Sequence, residues 1–412
     1  MVELPQEIIE DIIDIVSQHE TSLLLSVNPI KSMKSCALVA RAFRLRSQYH
    51  LFHHVSLLNI RHYTRFLIIC ESSPHIPSLV RSLHLAQSDR SSTATEREVW
   101  GLRSILSGMV NLRSLRLFDY GILYNFPYSS LPSSLISFEI RDVEFCHIDD
   151  LCALLNYHPR LRTVNLCENV SIKGSEKQEN MELKHNLYVS GPCIETLDIS
   201  AYFNWYLLQA VMEKSSYRFP FDLGRLRNLI LAVTSQTFHY CVAAIMTPVA
   251  KSIERLELNI FSRIISQEQG LKLGQHQPTH RSNSSLPSLP RLRSISIYYE
   301  SYSRSLLGWI AFNIFRRAPT LQEITLTVSL LSSHLTDGHV MTGGEGIWMR
   351  FDTVIAAHPT IQSFIIDLSV FRSTRFLDWR ETMTLSIHKL FPATVAKGIM
   401  YVSYGGGKHR VQ

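Results

Sequence analysis

The sequence predicts an α/β chain in which strand–helix units stack one on another behind a small N-terminal helical module. Three observations predict it. A six-residue pattern, apolar-x-x-apolar-x-apolar, recurs ten times. Amphipathic segments between the repeats stop at prolines. The first fifty or so residues carry helical periodicity instead.

The pattern runs Val80–Leu85, Leu112–Leu117, Leu135–Ile140, Leu161–Leu166 and Ile194–Ile199. It continues as Leu226–Leu231, Ile253–Leu258, Leu292–Ile297, Leu321–Leu326 and Ile361–Ile366. Successive starts lie 23 to 40 residues apart, about 31 on average, slightly above the leucine-rich-repeat range. The last two apolar positions are two apart, so they project to one side of a short strand. The first sits at the turn before it. One unit cannot bury such a face alone, whereas stacked units form a parallel sheet with a continuous core. The expected form is a curved solenoid, with strands on the concave face and helices on the convex face.

Between the strands, Ile148, Leu151, Leu154 and Leu155 recur at helical spacing before Pro159. Trp309, Ile310, Phe312, Ile314 and Phe315 precede Pro319, and Phe351, Val354 and Ile355 precede Pro359. Proline disfavours helical geometry in the residue before it, so each helix ends there and the strand follows. Three intervals, 168–192, 262–290 and 333–347, are too long for a bare unit and are expected to be surface loops.

At the N-terminus, Leu4–Val16 starts a helix with Pro5 in its first turn and Glu7, Glu10 and Asp11 at its positive end. Ile8, Ile12, Ile15 and Val16 form its apolar stripe, widened by Ile9 and Ile13. A second helical segment begins near Met33 and Cys36, and Tyr49, Leu51 and Phe52 close the module. About fifty residues make a poor independent domain, so this module is expected to pack on a partner, on the repeats, or on both.

Leu4-Pro5-x-Glu7-Ile8-Ile9, Cys36–Arg44 and Leu51–Val55 together resemble the F-box over residues 3–57, and the chain as a whole resembles an F-box/leucine-rich-repeat protein. The segment Ser17–Ser32 is longer and more polar than the compact F-box linker. The resemblance implies a substrate-recognition adaptor of an SCF-type cullin–RING ubiquitin ligase. It would bind the Skp-family adaptor through Leu4, Pro5, Ile8, Ile9, Leu38, Val39 and Phe43, and a substrate protein through the repeats. The competing reading is a non-ligase scaffold or interaction module whose N-terminal helices act as a cap. The expected organisation is a module at 1–57, a connecting segment at 58–78, about ten irregular units over 79–400, and a tail at 401–412.

Other classes find less support. Charged residues make up 18% of the chain. Seven scattered cysteines without C-x-x-C fit buried thiols in a reducing compartment. The acidic start lacks the basic, apolar layout of a secretory signal, and no run reaches membrane-helix length. A soluble cytoplasmic or nuclear protein without membrane association is expected. No G-x-S-x-G, Walker-type loop or H-E-x-x-H occurs, so no enzyme, cofactor or metal is expected. His50, His53 and His54 read as a surface cluster.

Alternation along the strands assigns Arg116, Phe118, Glu139, Arg141, Asp198, Glu257 and Tyr298 to the substrate-binding concave face, with His84, Asn165, Asn259, Thr325 and Asp367 beside them. The mixed charge of this set argues for a protein partner and against nucleic acid. Arg81, Arg113, Arg162, Arg227 and Arg293 share one repeat position and nearly equal the whole net charge of +6. The basic balance therefore reads as a property of the scaffold.

Overall fold

The computed structural model describes residues 5–18, 29–39, 41–86, 96–119, 128–145, 151, 154–155, 157–167, 170–172, 191–199, 222–234, 245–261, 286–300, 310, 313–329, 345–367, 387–404 and 407–411. The chain forms two compact units. The first comprises residues 1–192 with 206–221, and the second residues 193–205 with 222–412. The three long intervals fall mostly outside the described residues, as do Leu4, Ile148, Trp309 and Phe312.

The first unit opens with helices α1 (Gln6–Gln18), α2 (Pro29–Val39) and α3 (Arg41–His53). There follow β1 (His54–Leu57), α4 (Ile60–Ser72), α5 (Ile76–Leu79), β2 (Ser82–Ala86), α6 (Glu96–Gly108), β3 (Ser114–Phe118), β4 (Ser137–Arg141) and β6 (Thr163–Leu166). Strands β1, β2, β3, β4 and β6 pair in that order, all parallel. The short β5 (Glu144–Phe145) and β7 (Ser171–Ile172) pair separately.

The second unit holds β8 (Thr196–Ile199), β9 (Asn228–Thr234), β10 (Arg255–Phe261), β11 (Ser294–Glu300), β12 (Glu323–Ser329), α7 (Glu345–Ala357), β13 (Ser363–Asp367), α8 (Pro392–Lys397), β14 (Met400–Tyr404) and β15 (Gly407–Arg410). β8 through β14 are parallel neighbours, and β15 returns antiparallel to β14.

All ten repeat patterns coincide with a strand, and the register joins equivalent positions. Leu83, Leu115, Phe138 and Val164 align across the first unit. Leu197, Leu229, Leu256, Ile295, Ile324 and Phe364 align across the second. The leading apolar residue of each unit is likewise buried, from Val80 to Ile361. Burying each such side chain contributes roughly 1.5–3 kcal/mol, and neighbours in the stack share the buried face.

The chain enters its strands through tight turns. The N–H groups of Leu161, Leu292 and Leu321 donate to the carbonyls of His158, Leu289 and Ala318, three residues back. Pro159, Pro290 and Pro319 thus occupy the second turn position, where a fixed φ suits the geometry. A hydroxyl just before the leading apolar residue then staples the turn to the preceding unit. Thr320 Oγ1 donates to the carbonyls of Pro290 and Leu292 at 2.9 and 3.1 Å. Thr360 does the same to Pro319 and Leu321, and Ser134 to Val110 and Leu112.

The recurrent arginines act in the scaffold through their backbone. The Arg81 carbonyl accepts from the N–H groups of Arg113 and Ser114, and the Arg293 carbonyl from those of Gln322 and Glu323. The side chains of Arg113, Arg162, Arg227 and Arg293 are exposed. Asp119 and Asp142, each seven residues after a leading leucine, leave β3 and β4 in the left-handed region at φ 51° and 52°. Aspartate tolerates that region better than most residues.

The boundaries expected from the sequence shift at both ends. Residues 58–78 are not a bare connection but hold α4 and most of α5. The sheet starts inside the expected N-terminal module, because Phe52-x-x-Val55-x-Leu57 is a further copy of the pattern and forms β1. Residues 401–412 are not a free tail, since Val402 and Val411 are buried and β14 and β15 extend the sheet.

Candidate functional site

Two surfaces carry the residues singled out in the sequence. The first is the N-terminal helical layer. The Pro5 carbonyl accepts the N–H groups of Ile8 and Ile9 and begins α1. The two apolar stripes of α1 then divide. Ile9 and Ile13 join Met33 in a small core, with Phe43 and Leu51 packed against it. Ile8, Ile12 and Ile15, at helical spacing, face outward. Leu45 of α3 is exposed, and Leu38 of α2 is 84% exposed.

An ion-pair clamp locks α1 to α3. Arg46 Nε donates to Asp14 Oδ1 at 2.7 Å and Arg46 Nη2 to Oδ2 at 2.5 Å. His50 Nε2 lies 2.7 Å from the same Oδ1. Hydrogen bonding from Arg46 outweighs partial burial and, with His50, holds the Asp14 carboxyl down at about 2. Tyr49 stacks edge-on with His50 and His53 and lies beneath the Arg81 guanidinium, which ties α3 to the first strands.

Of the expected adaptor-contact residues, Pro5, Ile8 and Leu38 lie on the surface. Ile9 corrects the expectation: at 7% exposure it belongs to the core, because its stripe faces Met33. Phe43 is partly buried for the same reason. Leu4 and the Val39 side chain lie outside the described residues. Ile12, Ile15 and Leu45 complete the exposed set, beyond the contacts that the resemblance implies. The spacing of Ile12 and Ile15 from Ile8 is the signal that marks them.

The second surface is the sheet face turned away from the core, described for each unit. In the first unit, register aligns His84, Arg116, Glu139 and Asn165 in one row and Ala86, Phe118 and Arg141 in the next. Arg116 Nε reaches Glu139 Oε2 at 3.1 Å. The Arg141 guanidinium lies 5.1 Å over the Phe118 ring, and the His84 ring sits 4.4 Å from it at 60°. Burial, reinforced by Arg116, lowers the His84 pKa.

In the second unit, Asp198, Ile230, Glu257, Ser296 and Thr325 form one row. Ala232, Asn259, Tyr298 and Thr327 form the next. Burial raises the Glu257 carboxyl, a hydrogen bond with Asn259 opposes it, and the Asp198 charge adds to the rise. Tyr298 is one row removed from this pair. Ile365 lies on the same face but is buried, at 2% exposure.

Among the described residues no group of three or more His, Cys, Asp or Glu is placed to hold a metal ion. His50 is engaged with Asp14, and His53 stacks on Tyr49 and His54. Among them, too, no helix is long and apolar enough to cross a membrane. No protein-family model matches the chain, and no curated protein matches it.

Proposed function

We propose that this chain is a substrate-recognition adaptor of an SCF-type ubiquitin ligase. Its N-terminal helices act as an F-box and dock a Skp-family adaptor. Its strands stack as leucine-rich-repeat units of a curved solenoid whose concave face holds a substrate protein. The chain performs no bond chemistry. It works by proximity in the cytoplasm or nucleus, raising the local concentration of substrate beside a ubiquitin-charged enzyme.

One observation carries the reading. A three-helix layer with its own small core leaves Ile8, Ile12, Ile15, Leu38 and Leu45 in solvent. Exposed large aliphatic residues concentrated on one small module mark an interaction surface. The test is capture of a purified Skp-family adaptor by the full chain. Ile8→Asp combined with Leu38→Asp is expected to abolish capture without lowering the melting temperature. Capture equal to wild type sinks the assignment.

A second reading, in which the helices only cap the sheet, draws on the continuity of α3 with β1 and on the seat of Arg81 over Tyr49. It predicts no adaptor capture at all. Deleting residues 1–57 does not separate the two readings, because the cut removes β1 and bares the edge of β2.

A further inference from the structure

We propose that Arg141 and Phe118, on the outward sheet face of the first unit, seat an anionic side chain of a bound peptide. The proposal rests on the reading of that face as the partner-binding side. It adds the chemistry of what binds there.

The neighbouring arginines differ in one respect. Arg116 is already paired with Glu139. Arg141, diagonal to it across β3 and β4, has no carboxylate partner among the described residues and places its guanidinium carbon 5.1 Å from the Phe118 ring centre instead. A guanidinium packed against a ring loses part of its rotational freedom, so its planar donor fork is partly preorganised for a carboxylate or phosphate. Phe118 is held in turn by His84 on its other contact.

Two polar nitrogens beside the ring are buried and unanswered. Arg141 Nε and His84 Nε2 have no hydrogen-bond partner and almost no accessible surface. Buried polar atoms in that condition are uncommon in folded proteins and carry a desolvation penalty. An anionic oxygen on the guanidinium fork answers the unpaired charge of which Arg141 Nε is a part. Glutamate, aspartate and phosphorylated side chains share that oxygen chemistry.

The probes are short fluorescein-labelled Gly/Ser peptides carrying two glutamates, two phosphoserines or two glutamines, titrated against the full chain by fluorescence anisotropy. At least one anionic probe is expected to bind about tenfold tighter than the glutamine probe and to weaken with salt. Arg141→Gln and Phe118→Leu should each remove that preference, Arg141→Lys should retain part of it, and Arg160→Gln, at an exposed turn, should leave it intact. The ratio of the glutamate and phosphoserine affinities identifies the source of the anion. Circular-dichroism melts confirm that each variant is folded. Equal binding of the glutamine probe, or an undiminished preference in Arg141→Gln and Phe118→Leu, overturns the proposal. No adaptor is present, so failure here and failure of adaptor capture are separate results.

Discussion

Asp352 of α7 holds the first turn of α8 through Thr394. Its Oδ1 accepts the Thr394 backbone N–H at 2.8 Å, and its Oδ2 accepts that of Ala393 at 2.8 Å. Asp352 is 2% exposed and Thr394 is fully buried. A side chain from one helix thus supplies the cap that the next lacks in its own sequence, since Phe391 precedes α8. At its other end, α8 stops at Gly398, whose φ of 75° lies in the left-handed region and whose N–H returns to Thr394 and Val395.

Asp352→Ala is therefore expected to destabilise the second unit by about 2–3 kcal/mol, because one buried and one half-buried donor lose their acceptor. Asp352→Asn keeps one oxygen and should lose less. The urea midpoint measures both, at constant slope.

His158 predicts acid sensitivity. Its ring is 1% exposed and neither nitrogen has a hydrogen-bond partner. Burial lowers its pKa from 6.5 to about 4, and the nearby Pro132 carbonyl offsets this only in part. Between those values the unfolded chain binds the proton and the folded chain does not. The contribution of His158 is thus fully present above pH 6.5 and declines as pH falls toward 4, by at most about 3 kcal/mol. His158→Phe should flatten that part of the stability–pH curve, measured by denaturant midpoints at a series of pH values.

Adjacent isoleucines on α1 should behave oppositely. Ile9→Asp places a carboxylate in the Ile9–Ile13–Met33 core and should destabilise the N-terminal layer by about 3 kcal/mol or more. Ile8→Asp, at a site 45% exposed, should change stability by less than about 1 kcal/mol. Amide hydrogen exchange in α1 and α3 separates them: protection collapses in the first variant and persists in the second.

The Asp14–Arg46 clamp has its own pH window. A carboxyl held at about 2 in the fold and near 3.8 otherwise favours the folded state above pH 4 and loses that effect as pH falls toward 2. Solvent at this half-buried pair reduces its worth to about 1 kcal/mol. Asp14→Asn should lower stability at pH 7 by that amount and erase the acid dependence. Chemical denaturation at pH 7 and pH 3 tests both parts.

The ten strands were legible because their three apolar positions are all obligatory: two face the core and the third plugs the turn. β1 was hidden by context, since Phe52-x-x-Val55-x-Leu57 follows a helix without a break and read as its end. β14 was hidden because Lys397 stands where the leading apolar residue belongs. The Arg141–Phe118 stack was within reach, as both residues lie six positions after a leading leucine and strand pairing brings equal positions together. Which stripe of α1 faces inward was not, because Ile8 and Ile9 head stripes of equal apolarity. The choice depends on where Met33 packs, a contact between distant parts of the chain.

The hydroxyl staples give a final test of what holds successive units together. Thr360 Oγ1 has one proton and two carbonyls, Pro319 at 3.0 Å and Leu321 at 2.7 Å. Both carbonyls lie in the preceding turn, so the bond spans units and does not merely tighten its own. Thr360→Val keeps the shape and removes the donor, which should lower stability by about 1–1.5 kcal/mol. Thr353→Val is the control, because Thr353 donates only to Met349 within α7 and its carbonyl acceptor lies on an exposed helical turn. It should stay within about 0.5 kcal/mol of wild type. Thr320→Val removes the staple on the adjacent interface. The two hydroxyls share no acceptor, but Thr320 stands between the two residues that accept from Thr360, so the double variant reads the coupling of the staples as well as their sum. Urea denaturation of the two single variants and the double variant decides it. A double variant no less stable than either single one would mean that the staples follow from the packing of the units and do not help to hold it.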